Sequence, residues 1–282
     1  MSTNATVREV LKWASSFLKA SGKEAAAAER LLMERQQWNR TDLLLHLDQE
    51  MPLAVKKQLI EDVSEHGSGI PIQHLLGYEW FYDYPFKVTK DTLIPRPETE
   101  EIVDKCLKRN PDGKTLQVLD IGTGTGAIAI TIKKERPSFS VTATDLSAHA
   151  LKVAEENAEE LGAAVRFKLG DLTEPVQDEQ FDIILSNPPY IAENEKKFMD
   201  ESVLAYEPKM ALFAASNGLE IYQRLAKELP ERLKAGGQIY LEIGFRQGKA
   251  VKSLFEAAFP TAEVSVEKDI SGQDRLIFVQ LS

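Results

Sequence analysis

The tetrapeptide Asn187-Pro188-Pro189-Tyr190 follows an apolar run, Phe181-Asp182-Ile183-Ile184-Leu185-Ser186. Two consecutive prolines fix the backbone and remove two donors, so the Pro188 carbonyl can stand as a rigid acceptor beside the side-chain oxygen of Asn187. Two acceptors at one spot suit the two hydrogens of a planar –NH2 group, either an amide or an exocyclic amine. Such a nitrogen is weakly nucleophilic because its lone pair is delocalised. Gripping both hydrogens raises its electron density and favours a pyramidal geometry as it attacks an electrophile. No strong base is required, because the proton becomes acidic only after the new bond has formed. Tyr190 adds an aromatic wall. An Asn turn closed by strand-stopping prolines would have the same local sequence without any chemistry.

A second cluster is glycine-rich: Asp120-Ile121-Gly122-Thr123-Gly124-Thr125-Gly126-Ala127. It follows a strand-like run and opens onto a helix, so its backbone amides face whatever lies above the sheet. Asp145 comes 19 residues after Gly126, where a carboxylate at a strand end can accept hydrogen bonds from the two hydroxyls of an adenosine ribose. Asp171-Leu172 follows the next strand; Asp171 could take an adenine amino group while Leu172 packs on the ring. The same glycine pattern suits a nicotinamide dinucleotide, and a tight strand-to-helix turn needs glycines with no ligand at all.

These residues need a scaffold that brings strand ends together. Apolar runs at Leu116–Asp120, Val141–Asp145, Val165–Leu169, Phe181–Ser186, Gln238–Ile243, Ala262–Val266 and Leu276–Gln280 alternate with helix-length segments. That series predicts an α/β domain with a doubly wound, mostly parallel, seven-stranded sheet, in which the last two strands, separated only by a short turn, pair antiparallel. Residues 1–77 read instead as a smaller helical bundle, with apolar positions at three- and four-residue steps (Val7, Val10, Leu11, Ala14, Phe17, Leu18) and a helix start at Thr41-Asp42. The aromatic alternation from Tyr78 to Val88 predicts a hairpin linker over 78–90, ahead of the catalytic domain at 91–282.

Composition narrows the function classes. The chain has 34 Lys+Arg against 44 Asp+Glu, a net charge of −10, which opposes non-specific attraction to nucleic-acid phosphates. No window approaches ~18 consecutive apolar residues, and no secretory pattern opens the chain, so a cytoplasmic location is the expectation. Cys106 is the single cysteine, and the four histidines have no metal-site spacing, so no metal is expected. The absence of heptads leaves a monomer as the expectation.

Asp120 to Gly126, Asp145, Asp171 and Asn187-Pro188-Pro189-Tyr190, in this order, resemble the class I S-adenosylmethionine-dependent amino-methyltransferases, with a Rossmann-like fold. Pro71 to Gly77, Leu93 to Glu100, Tyr206-Glu207-Pro208, Ala211-Leu212-Phe213 and Glu242-Ile243-Gly244 further resemble the peptide chain release factor glutamine methyltransferases, the PrmC/HemK family. The likeness covers nearly the whole chain, with no departure at the glycine loop or the Asn-Pro-Pro-Tyr positions. It implies methyl transfer from S-adenosylmethionine to the glutamine side-chain nitrogen of the Gly-Gly-Gln loop in class I release factors, giving N5-methylglutamine. Asn187, Pro188, Pro189 and Tyr190 would then form the catalytic site, with Asn187 and Pro188 holding the amide and Tyr190 packing beside it. Gly122, Thr123, Gly124, Thr125, Gly126, Asp145, Asp171, Leu172 and Asn187 would line the cofactor site, and the amino-terminal bundle would grip the release factor. Adenine-N6 methylation, which shares the same tetrapeptide, needs Lys/Arg contacts that this acidic chain does not advertise. A non-catalytic binder would leave Asn187-Pro188-Pro189-Tyr190 unexplained. Arg96, between Pro95 and Pro97, is either a helix-start residue or a ligand-orienting one, Glu207-Pro208 can shape a loop, and Asp274 with Arg275 reads as an ion pair or a turn.

Overall fold

The computed structural model describes residues 4–282, which divide into two compact units, one running to residue 78 and including 200–206, the other comprising 79–199 with 207–282. In the first unit, helices α1 (Val7–Ala20), α2 (Ala27–Gln36), α3 (Arg40–His46), α4 (Leu53–Gly67) and α5 (Ile72–Leu76) follow one another. Thr6 caps α1 through a reciprocal box with Glu9, and Val7, Val10, Leu11, Ala14 and Leu18 form its buried stripe. Helix α3 begins one residue before the expected Thr41-Asp42 start, because Asn39 and Asp42 exchange side-chain-to-backbone bonds of 3.0 Å. Arg35 crosses the bundle with a two-pronged contact to the buried Asp62, both bonds 3.0 Å, and a third bond to the Leu75 carbonyl. The buried carboxylate is tolerated because it accepts from the Arg35 guanidinium on both oxygens and from the Gln58 amide. Gly77 ends α5 with φ +86°, the left-handed conformation that glycine adopts without a Cβ clash.

The second unit opens with a hairpin, β1 (Tyr78–Phe81, whose first residue falls in the other unit) and β2 (Tyr84–Lys87), then α6 (Pro97–Arg109). The hairpin belongs to this unit's core: Phe81 and Phe86 are fully buried and meet edge to face at 5.9 Å. There follow β3 (Gln117–Ile121), α7 (Ala127–Glu135), β4 (Ser140–Asp145), α8 (Ala148–Glu160), β5 (Val165–Leu169) and β6 (Phe181–Ser186). Helix α9 (Glu201–Tyr206) comes next in the chain but belongs to the first unit; the second continues with the short helices α10 (Lys209–Leu212) and α11 (Ala215–Gly218), then α12 (Glu220–Glu228), β7 (Leu233–Glu242), α13 (Gly248–Ala258), β8 (Glu263–Lys268) and β9 (Asp274–Gln280).

The sheet has seven strands in the order β5-β4-β3-β6-β7-β9-β8. Its pairings are parallel except that β9 runs antiparallel to both β7 and β8, as the short last turn requires. Strand β7 starts five residues before the expected Gln238. Leu233 pairs with Phe181 and Gln238 with Ile183, and the shift in register between them absorbs the extra residues around Gly236 and Gly237. Side chains alternate between two apolar layers. Val118, Ile183, Leu185 and Tyr240 face α6, α7 and the hairpin, whereas Leu119, Ile121, Ile184, Ile239 and Leu241 face α12 and α13. Both faces are covered, which is why the strands are apolar runs.

Asn157 of α8 ties this scaffold to the glycine-rich loop. Its side chain is fully buried; it accepts from the Lys87 N–H at 2.8 Å and donates to the carbonyls of Lys87 and Thr125. Removing it strands the buried Thr125 carbonyl and the half-buried N–H and carbonyl of Lys87, at roughly 1–3 kcal/mol for a fully buried group and less for the others. Asn157→Ala is therefore expected to destabilise the protein by about 3 kcal/mol, read as a lower urea midpoint; a loss under about 1 kcal/mol would show the amide to be dispensable.

Candidate active site

The chain leaves β3 for β4 and β5 on one side and returns to β6 and β7 on the other, so the carboxyl ends of β3 and β6 flank a crevice at the point where strand order reverses. Along the crevice Asp120 pairs with Leu185 and Ile121 with Ser186, and the Ser186 hydroxyl donates to the Ile121 carbonyl at 2.7 Å. The two loops that carry the candidate chemistry therefore start side by side.

On the β3 side, Gly122 and Thr123 donate their N–H groups to the Thr144 carbonyl, which folds the loop back over β4. Gly122 and Gly124 have φ of +72° and +56°, and a Cβ on either would meet nothing within 4 Å. Their hydrogen-only faces open onto the cleft. Gly126, at φ +83°, has a second reason to be glycine: a Cβ would lie 2.6 Å from Ile130 and 3.2 Å from Ala154, so it is also a packing position. Thr123 and Thr125 are buried, and Thr123 donates its hydroxyl to Asp120 Oδ2 at 2.6 Å.

Asp145 closes the opposite wall. It accepts from the N–H groups of Gly124 and Ser147, each at 2.8 Å, and burial holds its carboxyl above the ordinary range against those donors. Asp171 is gripped by Arg224 at 2.7 Å, and Leu172 sits at φ +47°, a strained position for a branched residue. One cleft gathers Gly122, Gly124, Asp145, Asp171, Leu172, Asn187, Pro188 and Pro189, along with Asp91, Met210, Ile221 and Arg224, to which the sequence reading gave no role. Thr123, Thr125 and Gly126 stand behind the wall. Tyr190 lines an adjacent groove with Phe198, Phe245 and Gln247, and its phenol reaches Glu242 Oε1 at 3.3 Å.

Asn187 donates from Nδ2 to Thr99 Oγ1 at 3.0 Å; among the described residues no donor reaches its Oδ1 or the Pro188 carbonyl. Thr99 and Glu242 were given no role by sequence reasoning. The signal was present in Glu242, a carboxylate that follows the apolar run Ile239-Tyr240-Leu241 at the end of its strand. Arg96, the cap residue of α6, pairs with the buried Glu207, which also accepts the Ile94 N–H at 3.1 Å. This joins the loop before α6 to the segment before α10, so Arg96 is a structural brace with its guanidinium already engaged. Arg275 pairs with Asp269 at 3.2 Å, and Asp274 is not its partner.

A parallel sheet with reversed strand order, a glycine loop at its crevice and an acid at the end of the second strand define a class I methyltransferase. A family model described as methyltransferase small domain matches residues 100–210, and one described as PrmC N-terminal domain matches residues 9–77. A release factor glutamine methyltransferase of Enterococcus faecalis is 51% identical over 272 residues, covering 96% of this chain and 98% of the relative. One from Bacillus subtilis is 46% identical over 279 residues, covering 96% of each. Among solved structures, a 16S rRNA N2 G1207 methyltransferase of T. thermophilus, in complex with AdoMet and guanosine, matches with TM-score 0.51 at 16% identity, covering 73% of this chain and 50% of that one. At that identity it shows the fold. The chain belongs to the release factor glutamine methyltransferase family.

Asp120 is 1% exposed, and its Oδ1 has no hydrogen-bond partner among the described residues. Burial pushes its carboxyl up to about 7, against the Thr123 hydroxyl bond that lowers it and with the Asp145 charge that adds to the rise. A carboxyl raised in the fold binds a proton between roughly pH 4 and 7 that the unfolded chain has released, so stability falls as pH rises through that window. Asp120→Asn is expected to flatten this decline by on the order of 3 kcal/mol in urea titrations at successive pH values. An unchanged slope would show that Asp120 is ionised throughout.

Proposed function

We propose that this protein transfers the methyl group of S-adenosylmethionine to the side-chain amide nitrogen of the glutamine in the Gly-Gly-Gln motif of class I peptide chain release factors. The products would be N5-methylglutamine and S-adenosylhomocysteine. The observation that carries the reading is that Asn187, Pro188 and Pro189 share one cleft with Gly122, Gly124 and Asp145. An acceptor for –NH2 hydrogens and an adenosine-type cradle in one cavity are what amide methylation needs.

The residues fit the cofactor. Gly122 and Gly124 allow close backbone approach, Asp145 keeps lone pairs for ribose hydroxyls beyond the two N–H bonds it accepts, and Asp171 and Leu172 stand where an adenine would be read. When bound, S-adenosylmethionine supplies an electrophilic methyl on a positively charged sulfur. Asn187 Oδ1 and the Pro188 carbonyl each accept one amide hydrogen of the substrate glutamine, which orients the nitrogen lone pair and raises its electron density. After transfer the nitrogen is strongly acidic, and one of the two held protons passes to water.

Support for a protein acceptor comes from the named relatives and from the net charge of −10. In this reading the helical residues 1–77 bind the release factor away from its Gly-Gly-Gln loop, residues 78–90 and 91–282 carry the hairpin and the transferase site, and the enzyme works as a cytoplasmic monomer without a metal.

The test is transfer from labelled S-adenosylmethionine to a purified release factor, run beside the factor with its Gly-Gly-Gln glutamine replaced and beside DNA. Label on the intact factor alone supports the reading; label on DNA moves the function to adenine-N6 chemistry, and label on neither overturns it. Asn187→Ala is expected to lower kcat by at least about 100-fold while weakening cofactor binding less than about tenfold. Full activity in that variant would remove Asn187 from the reaction.

A further inference from the structure

An asparagine amide has two ends of nearly equal size, one accepting and one donating. The proposed reaction works only with the oxygen toward the substrate, since an –NH2 group there would meet the substrate's own hydrogens. Something must set the choice, and the residues behind Asn187 do so. Its Nδ2 lies 3.0 Å from Thr99 Oγ1, and the Thr99 hydroxyl lies 2.7 Å from Glu242 Oε2. A hydroxyl has one proton. With that proton committed to the carboxylate, the Thr99 oxygen faces Asn187 with lone pairs only, and Nδ2 is the only end of the amide that can satisfy it.

We propose that Thr99 and Glu242 are positioning residues: the Glu242 carboxylate fixes the direction of the Thr99 hydroxyl, which turns the Asn187 amide oxygen toward the methyl-accepting nitrogen. The inference rests on the proposed function, because it explains how that grip is oriented. Thr99 is 5% and Glu242 2% exposed, so water does not compete for the bond between them. Glu242 is held from other elements as well. Tyr190, following β6, donates to Oε1 at 3.3 Å; Tyr222 of α12 donates to the Glu242 backbone carbonyl at 2.7 Å. Arg275 of β9 attracts its charge and Glu98 at the start of α6 repels it.

The relay has a proton-dependent weak point. Burial pushes the Glu242 carboxyl up to about 7, opposed by the Thr99 bond, Arg275 and Tyr190. A protonated Oε2 donates to Thr99 instead of accepting. The Thr99 proton then points at Asn187 and favours the amide turned round, with its nitrogen in the cleft. Activity is therefore lost as pH falls through the Glu242 pKa, while the cofactor cradle is untouched.

Three variants test this against wild type with a release factor as substrate, reading kcat, both KM values, the pH profile and cofactor affinity by calorimetry. Thr99→Val removes the hydroxyl at nearly constant volume and is expected to lower kcat by about 10- to 100-fold with cofactor affinity within about twofold. Thr99→Ser restores the hydroxyl and is expected to recover kcat to within about fivefold of wild type. Glu242→Gln can still present an oxygen to Thr99 but does not titrate, so it is expected to lose the acid limb of the kcat profile between about pH 6 and 8. Wild-type kcat in Thr99→Val, equal impairment in Thr99→Ser, or an intact acid limb in Glu242→Gln overturns the relay while leaving the function standing. A wild-type protein that methylates no release factor overturns both.

Discussion

The pairing of β3 with β6 is the constraint from which the rest of the site follows. These strands are neighbours in the sheet but separated in sequence by β4 and β5, so the chain turns away from the crevice on both sides and leaves it open. Register decides what meets there. Ile121 opposite Ser186 brings the glycine loop and Asn187 to the same height, and the Ser186 hydroxyl on the Ile121 carbonyl holds the last pair where the ladder would otherwise fray. A slip of one residue would send Asn187 to the opposite face.

Around that crevice the structure keeps two carboxyls out of water, Asp120 beneath the glycine loop and Glu242 behind Asn187. Both are disfavoured as anions by burial, and both lie at the carboxyl ends of strands whose preceding residues are apolar. A site assembled only for packing would use apolar side chains there at lower cost. What the carboxyls supply is direction: each accepts from a threonine hydroxyl, Thr123 within the glycine loop and Thr99 directly behind Asn187.

Legibility in the sequence followed contact distance along the chain. The strands stood out because a sheet covered on both faces needs continuous apolar runs, and the glycine loop and Asn187-Pro188-Pro189-Tyr190 are local motifs. Asp145 was readable because the strand-helix-strand spacing fixes it. Thr99 and Glu242 were not, since they are 143 positions apart and meet only after the sheet has formed. Arg96 with Glu207 is the same case, at 111 positions. The start of β7 was missed for a different reason: a Gly-Gly pair is a turn signal unless a partner strand with an irregular register absorbs it. Thr123 and Thr125 show the converse limit, because a motif names its members without saying which of them line the cleft.

The helical unit is discontinuous, closing with residues 200–206, a segment that lies in the sequence between β6 and α12. Tyr206 supplies its contacts there, edge-on to His74 and beside Gly69. A ribosome making this protein therefore releases the amino-terminal helices long before their last piece exists. More than 120 residues must emerge before that piece arrives, so the bundle passes much of its synthesis with one side unfinished. An amino-terminal fragment cut at the hairpin would inherit the same defect permanently.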